Sequence, residues 1–434
     1  MEIQDMPQAS TAASSIFKDE KFGNDGAEVV APESEADIAD ILRKANKDGK
    51  KVAIISGGTK RGYGGLKNDY DILLSLSQYK GVVEHTAGDM TVTVRPGTTI
   101  KELQDFLREF DQMASIDPAW PEQATIGGVI AANESGPKRM KYGSARDLVI
   151  GLRVVYPDGT VIRTGGKVVK NVAGYDMNKL FIGSMGTLGV ITEITMKLRP
   201  LPKCESLVKL FVSKEQLQDL KTFVVKIQDS MIEPATLEMV NPALSKKLFN
   251  RDTYTLLAAF EDVENSVRYQ EQWIKDNKPE GMAMDVSSET EATAFWNAFS
   301  KIAPNSLTDY ESNRTRAVVK IGSKNMNVFE WLAEAETLQK ANLLTIEMHG
   351  GLGHGITNAI CTGVESEVKQ AIVRLRYRAE DKKGYAIVKH LPYTLRHEID
   401  VWGHKPAYFF LFEGIKKKND PNNTLNHQRF VGGI

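Results

Sequence analysis

Apolar positions recur with two periods along this chain, and the period changes with place. Ile38, Ile41, Leu42 and Ala45 fall at i, i+3, i+4 and i+7, one face of a helix. Ser34, with Asp37 three residues on, supplies its N-cap. Val52 to Ile55 is a short apolar run, read as a buried strand, and it leads straight into Ser56-Gly57-Gly58-Thr59. Asp71 to Leu76 and Thr91 to Arg95 are further strands, and order is expected from about Val29 onward. Thr99 and Glu102 make a second capping box, opening a helix with Leu103, Phe106, Leu107 and Phe110 on one side. Leu148 to Pro200 reads as strand and loop throughout, with Leu152–Tyr156, Pro157-Asp158-Gly159 and Thr160–Arg163 forming a hairpin. Gly189 to Leu198 is a strand that Pro200 and Pro202 stop.

Beyond the prolines the order becomes β-α-β-β-α-β, twice over. The first set is Leu207–Val212, a helix to about Gln228, Ala235–Val240, Tyr254–Phe260, a helix to about Asn277, and Met282–Val286. The second is Ala317–Ile321, Val328–Lys340, Leu344–His349, Ile356–Thr362, Glu365–Ala379 and Tyr385–Val388. Such an order is that of a ferredoxin-like unit. Four segments result: a tail over 1–21, a domain over 22–202, a second over 203–400, and a C-terminal segment over 401–434.

Composition excludes more than it assigns. Lys+Arg 55 against Asp+Glu 56 leaves a formal charge of -1, so no global basic field points to nucleic acid. Cys204 and Cys361 are the only cysteines of 434 residues, too few for a disulfide framework or an iron–sulfur cluster. Met1 to Ser15 has neither a basic flank nor an apolar core, and no run approaches the roughly 20 apolar residues of a membrane helix. A cytoplasmic location is the expectation.

The candidate chemistry lies in three glycine-rich segments, each joined to a strand. They are Ser56-Gly57-Gly58-Thr59-Lys60-Arg61-Gly62, Ala124-Thr125-Ile126-Gly127-Gly128, and Gly183-Ser184-Met185-Gly186-Thr187-Leu188-Gly189. Successive backbone N–H groups in a glycine turn make an anion-binding concavity, so three such turns point to a phosphate-bearing cofactor. Any one of them alone reads equally as a tight turn. None is G-x-G-x-x-G, and Gly165-Gly166-Lys167-Val168 lacks the rest of a P-loop.

Together with Asp89-Met90-Thr91-Val92 and Pro96-Gly97-Thr98, these segments resemble the FAD-binding domain of the vanillyl-alcohol oxidase family. Lys170-Asn171-Val172-Ala173-Gly174-Tyr175-Asp176, the Gly183–Ile191 run and the tail Arg429-Phe430-Val431-Gly432-Gly433-Ile434 are similar to the FAD-binding E-type subunit of bacterial glycolate oxidase. The resemblance implies an α+β chain: a PCMH-type FAD-binding domain of two subdomains, then a cap of two ferredoxin-like units. It also implies that Ser56, Gly57, Gly58, Thr59 and Lys60 wrap the FAD pyrophosphate. Thr125, Gly127, Gly128 and Gly143 would line the remainder, and Gly189, Ile191 and Thr192 would bond a ring edge. Thr59 and Lys60 stand where covalent members carry histidine, and residues 1–203 hold no cysteine, so the flavin is expected to be non-covalent.

Catalytic relatives carry His-x-Gly-Asp-Gly-Asn-x-His where this chain has His349-Gly350-Gly351-Leu352-Gly353-His354 and then Ile356. With the acid and the last histidine replaced, no metal is expected, and His349 reads as a strand end or as a substrate contact. Lys170, Tyr175 and Asp176 are further candidates to orient a substrate acid or the flavin. Trp120 reads as a cover for the cofactor or a core aromatic, and Lys416-Lys417-Lys418 as a solvated helix end. The implied function is 2-hydroxy acid oxidation, glycolate for example, beside a D-type flavin subunit and an iron–sulfur subunit. A scaffold that holds FAD without turnover and a standalone hydroxy-acid oxidase are the alternatives.

Overall fold

The computed structural model describes residues 21–166, 175–308, 314–341 and 343–434. Its first sheet is parallel, with β1 (Gly26–Val30), β2 (Val52–Ile55) and β3 (Tyr70–Ser75) in the order β1-β3-β2. Regular structure thus begins a little before Val29. The helix Glu35–Lys47 crosses between the first two strands, and the Ser34 hydroxyl accepts from Asp37 N at 3.1 Å while Asp37 accepts from Ser34 N at 2.9 Å. Its Ile38, Ile41, Leu42 and Ala45 pack on Val52, Ile72 and Leu74, as the spacing requires.

A second, antiparallel sheet follows. Its strands are β4 (Val82–Thr86), β5 (Thr91–Val94), β7 (Val149–Val155), β8 (Val161–Gly165) and β9 (Val190–Lys197), ordered β4-β5-β9-β7-β8. The short β6 (Gln112–Met113) pairs with β10 (Arg199–Pro200), where proline sits at an edge that needs no donor from it. The capping box at Thr99 and Glu102 opens the helix Ile100–Arg108, which buries Leu103 and Leu107. Phe110 lies beyond that helix and is exposed, its ring against His85. A four-residue helix, Asn178–Phe181, interrupts the expected strand-and-loop stretch.

The rest is one eight-stranded antiparallel sheet. In chain order the strands are β11 (Cys204–Val212), β12 (Thr236–Val240), β13 (Tyr254–Asp262), β14 (Ala283–Ser287), β15 (Thr315–Gly322), β16 (Leu344–Gly351), β17 (Ile356–Gly363) and β18 (Tyr385–His390). They lie as β14-β11-β13-β12-β16-β17-β15-β18. Each half has the ferredoxin-like order, and Glu238–Val240 pairing with His349–Gly351 joins the halves edge to edge. Alternate side chains face opposite layers: Leu256, Ala258 and Phe260 meet one core, Leu257 and Ala259 the other. The four long helices cover the first face. Two helices absent from the expected order, Pro242–Phe249 and Glu289–Phe299, cover the second.

The C-terminal segment runs back to the first domain. Leu425 bridges Val52 in parallel, beside the helix Phe409–Asn419. Lys416, on that helix, is buried: its Nζ donates to Thr187 O at 2.8 Å, Asp420 Oδ2 at 2.6 Å and Leu425 O at 3.1 Å. The lysine run is therefore only partly a solvated end, because residue 416 faces inward while 417 and 418 are exposed.

Candidate functional site

Between the two smaller sheets lies a cleft with about 910 Å³ of atom-free space. One wall starts where β2 ends. Ser56, Gly57, Gly58, Thr59, Lys60 and Arg61 all line it. The backbone N–H groups of Gly57 to Lys60 have no protein acceptor among the described residues, although Gly58 O receives both Arg61 N and Ser306 Oγ. Ser56 Oγ is buried without a partner. Gly58 holds φ at +70°, a region that L side chains rarely adopt. A Cβ on Gly57 would stand 1.9 Å from Gln123 O, so that backbone approach admits nothing larger.

The opposite wall comes from Thr125, Gly127 and Gly128, with Gly189, Val190 and Ile191 at one end. A Cβ on Gly128 would meet only Thr125 Oγ1, at 3.4 Å, so the space above it stays open. Of the twelve residues expected here, Gly143 and Thr192 lie outside the lining. Gly143 packs against Asp147, and the Thr192 hydroxyl donates to Glu35 Oε2 at 2.6 Å. Two residues of the resembling tail that were not among the expected cofactor contacts, Asn426 and Arg429, complete the cleft. Arg429 Nη2 donates to Lys60 O at 3.2 Å, while its Nε has no partner. Their place beside three glycine segments depends on a chain reversal that local pattern does not encode.

Charge concentrates at one end. Glu134 receives Lys389 Nζ at 2.5 Å and Lys60 Nζ at 3.3 Å. Burial alone would raise the Glu134 carboxyl, yet Lys389, Lys60 and Lys320 around it hold it well below the usual carboxylate range. Burial also lowers the Lys60 ammonium, against the pull of Glu134. Lys320 is brought down to about 8, by burial first and then by the charge of Lys389.

The catalytic candidates do not gather here. Lys170 lies outside the described residues. Tyr175 is 93% exposed, and Asp176 pairs with Lys179 at 3.5 Å. His349 is buried in the cap, its Nδ1 2.5 Å from Glu238 Oε1 and its ring edge-on to Phe299. His354 accepts from Ile356 N through Nδ1, and burial lowers its pKa. Among the described residues no three His, Cys, Asp or Glu side chains form a metal-ligand set. Trp120 donates to Ala303 O at 2.9 Å and does not line the cleft.

These features fit a dinucleotide that carries a pyrophosphate. A run of unpaired N–H groups, the orphaned Ser56 hydroxyl and two cations, Lys60 and Arg429, can receive its anionic oxygens. The open floor over Gly128 leaves room for a ring.

Comparison with known proteins agrees. Residues 27–165 match the family model described as FAD binding domain. The glycolate oxidase subunit GlcD of Bacillus subtilis is 35% identical over 213 residues, 49% of this chain and 45% of that protein. The mitochondrial cytochrome-type D-lactate dehydrogenase of Arabidopsis thaliana is 34% identical over 273 residues, 61% of this chain and 47% of that protein. The glycolate oxidase subunit GlcE of Escherichia coli is 38% identical over 144 residues, 33% and 41% of the two chains. The chain thus spans less than half the length of these relatives. Among solved structures, p-cresol methylhydroxylase with substrate bound superposes with a TM-score of 0.75 at 16% identity, over 97% of this chain and 92% of that one. Residues 27–165 form an FAD binding domain, and the chain as a whole has the PCMH-type FAD-binding fold, with FAD as its cofactor.

Proposed function

We propose that this chain is the flavoprotein subunit of a glycolate oxidase-like complex that oxidises a 2-hydroxy acid and passes the electrons to an iron–sulfur partner. The observation that carries the reading is the cleft itself. It joins phosphate-receiving turns to Lys60, which with Lys389 flanks the Glu134 carboxylate beyond the lining, a place suited to a small organic acid. In this reading Ser56 to Lys60 hold the pyrophosphate, Thr125, Gly127 and Gly128 flank the ring system, and Gly189 and Ile191 meet its far edge. Gly143 and Thr192 act only behind that wall. Bound FAD supplies the hydride-accepting chemistry. The chain's own part is to exclude water, orient the acid by charge and hold the flavin without a covalent link. Cys204 and Cys361 are both buried and free, and a cluster needs about four ligands, so single electrons must leave through another subunit. Relatives named as glycolate oxidase subunits GlcD and GlcE support a complex of several subunits, and the proposal takes a D-type flavin subunit and an iron–sulfur subunit as the partners.

A second reading, an FAD-holding scaffold without turnover, is favoured by one observation: His349 is engaged by Glu238, away from the cleft. Anaerobic titration of the purified chain with glycolate or D-lactate separates the two. Bleaching of its own flavin supports oxidation here; flavin that bleaches only after partner subunits are added supports the scaffold. Denaturation in acid should release the yellow cofactor, and flavin retained by the denatured chain would refute a non-covalent site.

A further inference from the structure

A second cavity, of about 1070 Å³ of atom-free space, adjoins the cofactor cleft and shares Ala132 and Met185 with it. Nothing described so far uses it. Its walls are of two kinds. Tyr63, Trp402, Phe412 and Phe430 form an aromatic wall, Trp402 lying 4.8 Å from Tyr63 and 5.2 Å from Phe430 between ring centroids. Facing it is Lys320, on β15 of the cap.

Lys320 is half-buried, and its ammonium has no hydrogen-bond or ion-pair partner among the described residues. The nearby carboxylate, Glu134, is already taken by Lys389 and Lys60. No Asp or Glu lies among the described residues that line the cavity, whereas Arg146 and Lys179 do. A partly desolvated cation that shares its neighbouring carboxylate with two other lysines is costly, and an arriving anion relieves that cost.

We propose that this cavity binds a monoanionic organic acid with a bulky apolar or aromatic body, its carboxylate on Lys320 and its body against Trp402 and Phe430. This rests on the hydroxy-acid reading and narrows it to acids larger than glycolate.

The test is binding of phenylacetate and acetate, neither a 2-hydroxy acid, to the FAD-loaded protein, by calorimetry and by perturbation of the flavin spectrum. Phenylacetate should bind at least about tenfold more tightly than acetate, and phenylacetamide should not compete. Lys320→Met should weaken phenylacetate by about ten- to a hundredfold, the range for a bond to a charged group. Lys320→Arg should keep it within about fivefold, since both retain the charge. Wild-type affinity should fall as pH rises past about 8, where Lys320 loses its proton. Lys389, Lys60, Arg139, His354 and Glu134 are the other charged or titratable groups coupled to it. Binding unchanged in Lys320→Met, no preference for phenylacetate, no binding at all, or a flat wild-type profile between about pH 7 and 9 would overturn the assignment. The pH profile decides the matter if Lys320→Met fails to fold. Because these probes are not turned over, failure here is distinct from failure of hydroxy acids to bleach the flavin.

Discussion

Asn426 Oδ1 accepts the backbone N–H of Ile54 at 2.9 Å, across 372 positions of sequence. The same amide donates from Nδ2 to Met185 O at 2.7 Å. One buried side chain thus ties the end of β2, the third glycine segment and the returning tail into the floor of the cofactor cleft. Asn426→Leu should cost about 1–3 kcal/mol of stability, the range for stranding buried backbone groups. It should also weaken FAD retention. Urea denaturation together with flavin stoichiometry after gel filtration checks both.

Gly57 and Gly128 should fail in different ways. Alanine at Gly57 meets the carbonyl oxygen of Gln123 at 1.9 Å, so the loop itself must move. Valine at Gly128 finds open space, so the chain should fold and lose only its cofactor. Circular dichroism near wild type, with flavin content reduced at least about tenfold, is expected for Gly128→Val; such a fall reflects the ~1.4 kcal/mol of binding that each tenfold represents. Full flavin occupancy in that variant would place the ring elsewhere.

Lys416 should stand apart from its two neighbours. Its removal strands Asp420, whose oxygens also accept from Thr424 N and Leu425 N. Breaking a buried pair of this kind costs about 3–5 kcal/mol. Lys417→Ala and Lys418→Ala, both exposed, should change stability by no more than about 0.5 kcal/mol. Thermal denaturation of the three variants side by side makes the comparison.

What the chain's pattern made legible follows from how local each signal is. Capping boxes at Ser34 and Thr99 and the period-2 runs of the cap are local, and they set those elements within a few residues. The helix Glu289–Phe299 carries an equally local signal, with Ser288 and Glu291 as its capping box. The helix Ile126–Ala132 escaped because Gly127 and Gly128 read as loop, whereas Thr125 caps them. Arg429 and Asn426 were not legible as cleft residues, since only the tail's return brings them there. Lys320 was hidden for the converse reason: a polar residue within a strand looks solvent-facing until the neighbouring domain closes over it.

Acid should unfold the protein partly through Glu134. Its carboxyl lies below the ordinary value of 4.5 in the folded state, despite burial, because Lys389 and Lys60 hold the charged form. A group depressed in this way stabilises the fold fully above about pH 4.5, and that contribution is lost as pH falls toward the folded value. Glu134→Gln should therefore be less stable than wild type at neutral pH, with the gap narrowing below about pH 4.5. Urea titrations across pH 3–7 measure it, and a gap that widened on acidification would contradict the assignment.

His349 poses the sharpest choice between structure and chemistry. Its Nδ1 pairs with Glu238 at 2.5 Å, Phe299 stacks edge-on against its ring, and it lines neither cavity. Glu238 is 2% exposed, and its second oxygen already lacks a partner. Removing the imidazole would therefore leave a buried carboxylate with no donor, on the β12–β16 seam that joins the two halves of the cap. Leaving a buried hydrogen-bonding group without its partner costs about 1–3 kcal/mol. His349→Ala should consequently be markedly less stable, whereas kcat/KM per bound flavin should stay within a few-fold. Glu238→Gln, which keeps the shape and removes the charge, should soften the stability loss in the double variant. A large fall in kcat/KM at unchanged stability and flavin content would instead put His349 in contact with the substrate.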